Sequence, residues 1–166
     1  ILNYLSFIMS GVLRFPALVK GRDFDVIFVF APSPITSVIP AIFLKYIKRT
    51  HLAVWVQDLW PESLAATGFI KSKAALKIVS YLVKGIYACS DTLLVQSHAF
   101  MKPLSLLTKQ DKIQYFPNAI DDMQEQMMNG NNNGIPKSLQ TLLETNFCLV
   151  FAGNIGKAQS IETIIS

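Results

Sequence analysis

Short apolar runs alternate with stretches of helical periodicity, and no other feature of the chain constrains its fold as strongly. The runs lie at Asp25–Phe30, Leu52–Gln57, Thr92–Gln96 and Ile113–Phe116. They are rich in the β-branched and aromatic residues that suit a pleated surface. Between them, 35–46, 73–88 and 98–107 read as helices. In the second of these, Leu76, Val79, Leu82, Val83 and Ile86 recur at helical spacing. Strand and helix in alternation predict an α/β fold with a parallel sheet and right-handed crossovers. Parallel strands are covered by helices and are therefore apolar along their length. That accounts for a chain 51% hydrophobic and only 16% charged, with a mean hydropathy of +0.37.

In a parallel sheet the chemistry belongs where the strands end. The four expected ends are Ala31-Pro32-Ser33, Gln57-Asp58, Gln96-Ser97-His98 and Pro117-Asn118, and all carry small or polar residues. The richest of them is Val54-Trp55-Val56-Gln57-Asp58-Leu59-Trp60-Pro61-Glu62-Ser63. There an apolar strand runs into two polar residues and then an aromatic turn. Asp58 suits acid–base or electrostatic work, and equally the capping of the turn that follows. Pro61 suits a first helical position, where Glu62 would face the positive end of the helix dipole. Ser97 is placed to cap the helix that starts at His98. Pro40 interrupts the first turn of the helix expected over 35–46.

Composition changes after the fourth strand. Asp121–Gly134 is polar and of low complexity, and it contains Asn129-Gly130-Asn131-Asn132-Asn133-Gly134. A domain boundary is expected between Asn118 and Gly134. A partial N-terminal domain over 1–120 would then precede a linker over 121–135 and the start of a second domain over 136–166. Beyond the linker, Pro136–Thr145 reads as a short helix and Phe147–Ala152 as a new apolar strand. Gly153-Asn154-Ile155-Gly156-Lys157-Ala158-Gln159-Ser160 follows, with a helix beginning near Ile161. Glycines bring backbone N–H groups close to an anion, and a helix N-terminus adds positive potential. The turn lacks the spacing of a P-loop or a dinucleotide fingerprint. A tight turn and a phosphate cradle both fit it. The chain opens and closes inside helical patterns and has no initiator Met, so it reads as an internal piece of a longer protein.

Net charge is +4 and the isoelectric point about 9.1. The basic clusters Lys45, Lys48, Arg49 and Lys71, Lys73, Lys77, Lys84 suit solvated helix faces, or attraction to an anionic membrane surface or phosphorylated substrates. No aromatic-basic platform or recognition-helix pattern points to nucleic acid. Cys89 and Cys148 read as packed thiols in a reducing compartment. No His or Cys lies at metal-ligand spacing. Residues 1–20 approach membrane-spanning length, but Asn3, Arg14 and Pro16 interrupt them. The order of expectation there is a packed core helix, then a membrane-surface helix, then a span.

Five elements in a fixed order carry a family resemblance. They are Asp25-Val26-Ile27 leading to Ser33-Pro34, the Val54–Glu62 element, Asp91–Ser97, Phe116-Pro117-Asn118-Ala119-Ile120-Asp121, and Phe151–Gln159. Together the chain resembles retaining family 4 glycosyltransferases of the GT-B fold. The likeness is to those that build bacterial O-antigen or capsule polysaccharide, and especially to the L-fucosamine (N-acetyl-fucosamine) transferase-like subgroup. The resemblance implies two Rossmann-like halves, the first incomplete here and the second only begun. It implies that Gln57 and Asp58 face the donor sugar as catalytic residues, with Gln57 where many members carry His. Gly153, Asn154, Gly156, Lys157 and Gln159 would lie by the donor diphosphate. Asn154 and Gln159 fall where other members carry Arg and Lys. Ser33, Glu62 and Asn118 would line the acceptor side or cleft.

The activity so implied is transfer of a sugar from a nucleoside diphosphate donor to a lipid-linked saccharide, with retention at the anomeric carbon. Neither a metal nor a further cofactor is demanded, since a helix terminus can serve the diphosphate. The protein would work in the cytoplasm, peripheral on the cytoplasmic face of the inner membrane. The family's Glu-x7-Glu donor grip has no counterpart here, so residues 1–166 alone are expected to be inactive. Two rivals stand beside the transferase: a nucleotide-sugar 2-epimerase of the same architecture, and a non-catalytic remnant.

Overall fold

The computed structural model describes residues 2–119, 136–151, 153 and 163. The chain divides into two compact units, Ile1–Pro117 and Asn118–Ser166. In the first, the strands are β1 (Val26–Ala31), β2 (His51–Val56), β3 (Thr92–Val95) and β4 (Ile113–Tyr115). They form one sheet in the order β1-β2-β3-β4, with every neighbouring pair parallel. The first unit is thus a Rossmann-like α/β layer.

Helices α1 (Leu2–Leu18), α2 (Ile39–Lys48), α3 (Glu62–Ala66), α4 (Lys73–Cys89) and α5 (His98–Ser105) accompany the sheet. Each start has a local cause. A 3-10 turn at Ile35–Val38 leads into α2, so Pro40 falls in the first turn, where its missing N–H removes no helical bond. Ser72 and Ser97 cap α4 and α5, accepting from the backbone N–H of Ala75 and Ala99. Glu62 opens α3, and Pro61 stands just before it, at the cap and not inside the first turn. The peptide bonds Ser33–Pro34 and Trp60–Pro61 are cis.

Strands that follow one another across a sheet place all their right-handed crossovers on the same face. The residues facing that way are Ala31, Leu52, Val54, Val56, Leu93, Val95 and Ile113, and all are buried. They form one core with Val38, Val83, Ile86, Tyr87 and Leu104. The opposite face stays open. Phe28 and Phe30 are about half exposed there, at 52% and 54%. They surround Trp55, whose ring lies 5.4 Å from Phe30 and 5.2 Å from Phe116 between centroids. The indole N–H of Trp55 donates to the Phe116 carbonyl at 3.0 Å.

The N-terminal edge of the sheet is clipped by Asp91. Its backbone N–H donates to Leu52 O, and its carboxylate accepts from the Leu52 N–H at 2.8 Å. Lys45 Nζ donates to the same carboxylate at 2.7 Å. Partial burial pushes the Asp91 pKa upward, but the Lys45 hydrogen bond, the Leu52 N–H and the charges of Lys45 and His51 together hold it below its ordinary value. Lys45 also donates to Cys89 O, while Lys112 donates to Ala88 O and Ser90 O. Two cations thus meet the last carbonyls of α4, where the helix dipole favours them. Lys45 is therefore fixed in place, unlike the solvated Lys71, Lys73, Lys77 and Lys84.

Three expectations need correction. Helix α1 is not a packed core helix, since Gly11 is its one buried residue. Leu2, Leu5, Met9 and Leu13 are 53–84% exposed. The helix touches its neighbours through the other face, where Ile8, Gly11, Val12 and Phe15 are less exposed. Gly11 lets α1 approach α2 closely, since a Cβ there would stand 2.8 Å from the Pro40 ring. Second, Phe147–Phe151 forms no strand, and Phe147 is fully exposed. A strand needs a partner ladder, and no described residue of the second unit supplies one. Helix α6 (Lys137–Thr145) is present there as expected. Third, Cys89 and Cys148 are free thiols of intermediate burial, not enclosed core residues. No described helix is long and apolar enough to cross a membrane.

Candidate functional site

The C-terminal ends of the strands are tied to one another by hydrogen bonds. Gln57 N–H donates to Ala31 O at 3.1 Å. The Gln96 side-chain amide donates to Gln57 O at 3.1 Å. Phe116 N–H donates to Val95 O at 2.8 Å. These bonds hold the residues just past β1, β2 and β3 in one row. Ser33 follows β1 and Asp58 follows β2, so the topology brings them together.

Both line an open cleft of about 330 Å³, shared with Tyr4, Trp60, Ser63, Leu64, Thr67 and Phe69. That volume lies at the lower end of small-ligand sites. The aspartate is oriented by its own turn, with Trp60 Nε1–H donating to Asp58 Oδ2 at 3.1 Å. This bond fixes the carboxylate and the plane of the indole at once. Asp58 Oδ1 has no hydrogen-bond partner among the described residues. The Ser63 hydroxyl is buried and has none either, and the same holds for the Tyr87 hydroxyl in the core. Burial, and after it the charges of Glu62 and Asp58, push the Tyr87 pKa well up, so the phenol stays neutral. An oriented carboxylate beside the exposed Ser33 gives the cleft hydrogen-bonding capacity to offer a polar ligand.

The other expected residues fall in different places. Gln57 is half-buried, and its backbone serves in the row of strand ends. It does not line the cleft with Asp58. Glu62 is exposed in the first turn of α3 and is not among the lining residues. Asn118 is exposed and opens the second unit. Gly153 is exposed in that unit, whereas Asn154, Gly156, Lys157 and Gln159 lie outside the described residues. No group of three or more His, Cys, Asp or Glu that could hold a metal occurs among the described residues. His98 stacks on Tyr115 at 4.0 Å between centroids, and that contact accounts for its place at the start of α5.

Tyr4, Ser63, Thr67 and Phe69 were not singled out by sequence. Trp60 carried a signal, as part of the aromatic turn after Asp58. Tyr4 and Phe69 carried none, because nothing in a helical pattern or a Gly-Phe dipeptide says which cavity a ring will border.

Fold and site together define an α/β protein with a Rossmann-like parallel sheet and a ligand-sized cleft at its strand ends. The chain matches no protein-family model, and no curated protein matches it.

Proposed function

We propose that this chain is the acceptor-side portion of a retaining glycosyltransferase of the GT-B class. It would move a sugar from a nucleoside diphosphate donor to a lipid-linked saccharide during synthesis of a surface polysaccharide. The observation that carries this reading is the cleft at the ends of β1 and β2, where Ser33 and Asp58 meet and Trp60 orients the carboxylate. The ordered sequence elements from Asp25 to Gln159 support it independently. Asp58 would orient or stabilise the reacting sugar, and catalysis would rest on positioning and on stabilising the departing diphosphate. In this proposal the glycine turn from Gly153 to Gln159 serves the diphosphate, and the protein works at the cytoplasmic face of the inner membrane.

The test is transfer of labelled sugar from nucleoside diphosphate donors to lipid-linked saccharides by the product of the whole reading frame. Asp58→Asn is expected to lower kcat by about 100-fold, the scale of losing one preorganised electrostatic group. Interconversion of the free sugar nucleotide, with no transfer to lipid, would establish the 2-epimerase instead. Absence of both activities would establish a non-catalytic binding protein.

A further inference from the structure

Three aromatic rings and a few polar side chains border the cleft. Tyr4 reaches it from α1, Trp60 from the turn after β2, and Phe69 from the loop after α3. Phe69 is 77% exposed and Tyr4 52%. Neither ring belongs to the hydrophobic core. Exposing large rings to water is unfavourable, and they recur at recognition sites because they present rigid apolar area at little entropic cost. Trp60 is held by its bond to Asp58, so its ring is presented in a fixed orientation. Beside these rings stand the Ser33, Ser63 and Thr67 hydroxyls and Asp58. A purely apolar ligand would leave that carboxylate desolvated with the Trp60 N–H as its one partner, which is costly. A small anion would be repelled by it. A ligand with apolar C–H faces and a rim of hydroxyls satisfies both halves of the cleft, and a pyranose ring has that form.

We infer that this cleft is a saccharide-binding site in which Tyr4, Trp60 and Phe69 pack on the C–H face of a pyranose while Asp58 and Ser33 hydrogen-bond its hydroxyls. The inference rests on the glycosyl-transfer proposal for the class of ligand, and it deepens that proposal by naming the side chains that would hold the sugar beside Asp58. Tyr4 also borders a second groove, with Asn3, Phe7, Pro34, Thr36 and Ser37. That groove gives a longer saccharide, or the apolar portion of a lipid-linked one, a path onward along α1.

Saturation-transfer NMR on the 166-residue chain with a panel of methyl pyranosides tests this directly. Irradiating the aromatic protons should transfer saturation mainly to the ring C–H protons of one sugar face. Tyr4→Ala and Phe69→Ala change exposed side chains outside the core and should each weaken binding roughly five- to tenfold. Phe69→Trp should restore it, and Asp58→Asn should weaken it by a similar factor. Circular dichroism and the thermal midpoint of each variant should match the parent. No saturation transfer from any pyranoside would overturn the inference. So would binding that the Tyr4→Ala/Phe69→Ala double variant leaves unchanged. Saccharide binding by a protein whose whole reading frame transfers no sugar would remove the transferase and keep this site. Transfer that ignores both rings would do the reverse.

Discussion

Asp91 shows at the residue scale how much one side chain can organise. It joins β2 to the start of β3 through Leu52 and holds Lys45 against the end of α4. Replacing it with Ala leaves the Leu52 N–H without its acceptor and Lys45 without its counter-ion. Leu52 is fully buried, so Asp91→Ala should cost about 1–3 kcal/mol in urea unfolding. The pH dependence has a definite sign. A carboxylate whose folded pKa is depressed contributes stability above its unfolded pKa and loses it as pH falls through the folded value. Stability of the parent should therefore fall more steeply below about pH 4 than that of Asp91→Asn. Equal acid slopes would show that this carboxylate is not the group responsible. In the sequence Asp91 is only an acidic residue before a strand. Its partner Lys45 lies 46 positions away, inside a cluster that suits a solvated face equally well.

At the scale of elements, two helical glycines make opposite predictions. A Cβ at Gly11 would stand 2.8 Å from both Cβ and Cγ of Pro40, a rigid ring in the first turn of α2. Gly11→Ala should gain about 1 kcal/mol of helix propensity and lose about 1–3 kcal/mol by forcing α1 off α2, so the net change runs from about zero to a loss of about 2 kcal/mol and is never a gain. A Cβ at Gly85 in α4 meets nothing within 4 Å. Gly85→Ala should stabilise the protein by about 0.5–1 kcal/mol. Thermal unfolding of the two variants side by side decides the matter, and stabilisation by Gly11→Ala would remove the close α1–α2 contact. The element pattern itself was legible, since the apolar runs and the helical spacing mark strands and helices by their own periodicity. The 147–152 run was not, because periodicity marks a segment fit for a strand without supplying the ladder that makes one.

For the molecule as a whole, the open question is what the exposed apolar face of α1 meets. Leu2, Leu5, Met9 and Leu13 lie along one side of a helix that also carries Arg14. An exposed apolar helix face suits the apolar side of a membrane interface, and anionic lipid would attract the chain's net charge of +4. The chain is expected to float with vesicles rich in anionic lipid, and a Leu5→Glu/Leu13→Glu variant should stay at the bottom of the gradient. Parent protein that fails to float would leave the lipid-linked acceptor without its membrane support. The sequence by itself determined the α/β class, the strands and helices of the first unit and the polar strand ends, because side-chain periodicity and capping are local properties. It also marked Ser33 and Asp58 as residues of interest. Only the tertiary structure decided that these two share a cleft, that Tyr4 and Phe69 border it, that Gln57 and Glu62 do not, and which face of α1 is left open. Each of those facts depends on which distant residue becomes a neighbour, and sheet order and helix packing set that, not spacing along the chain.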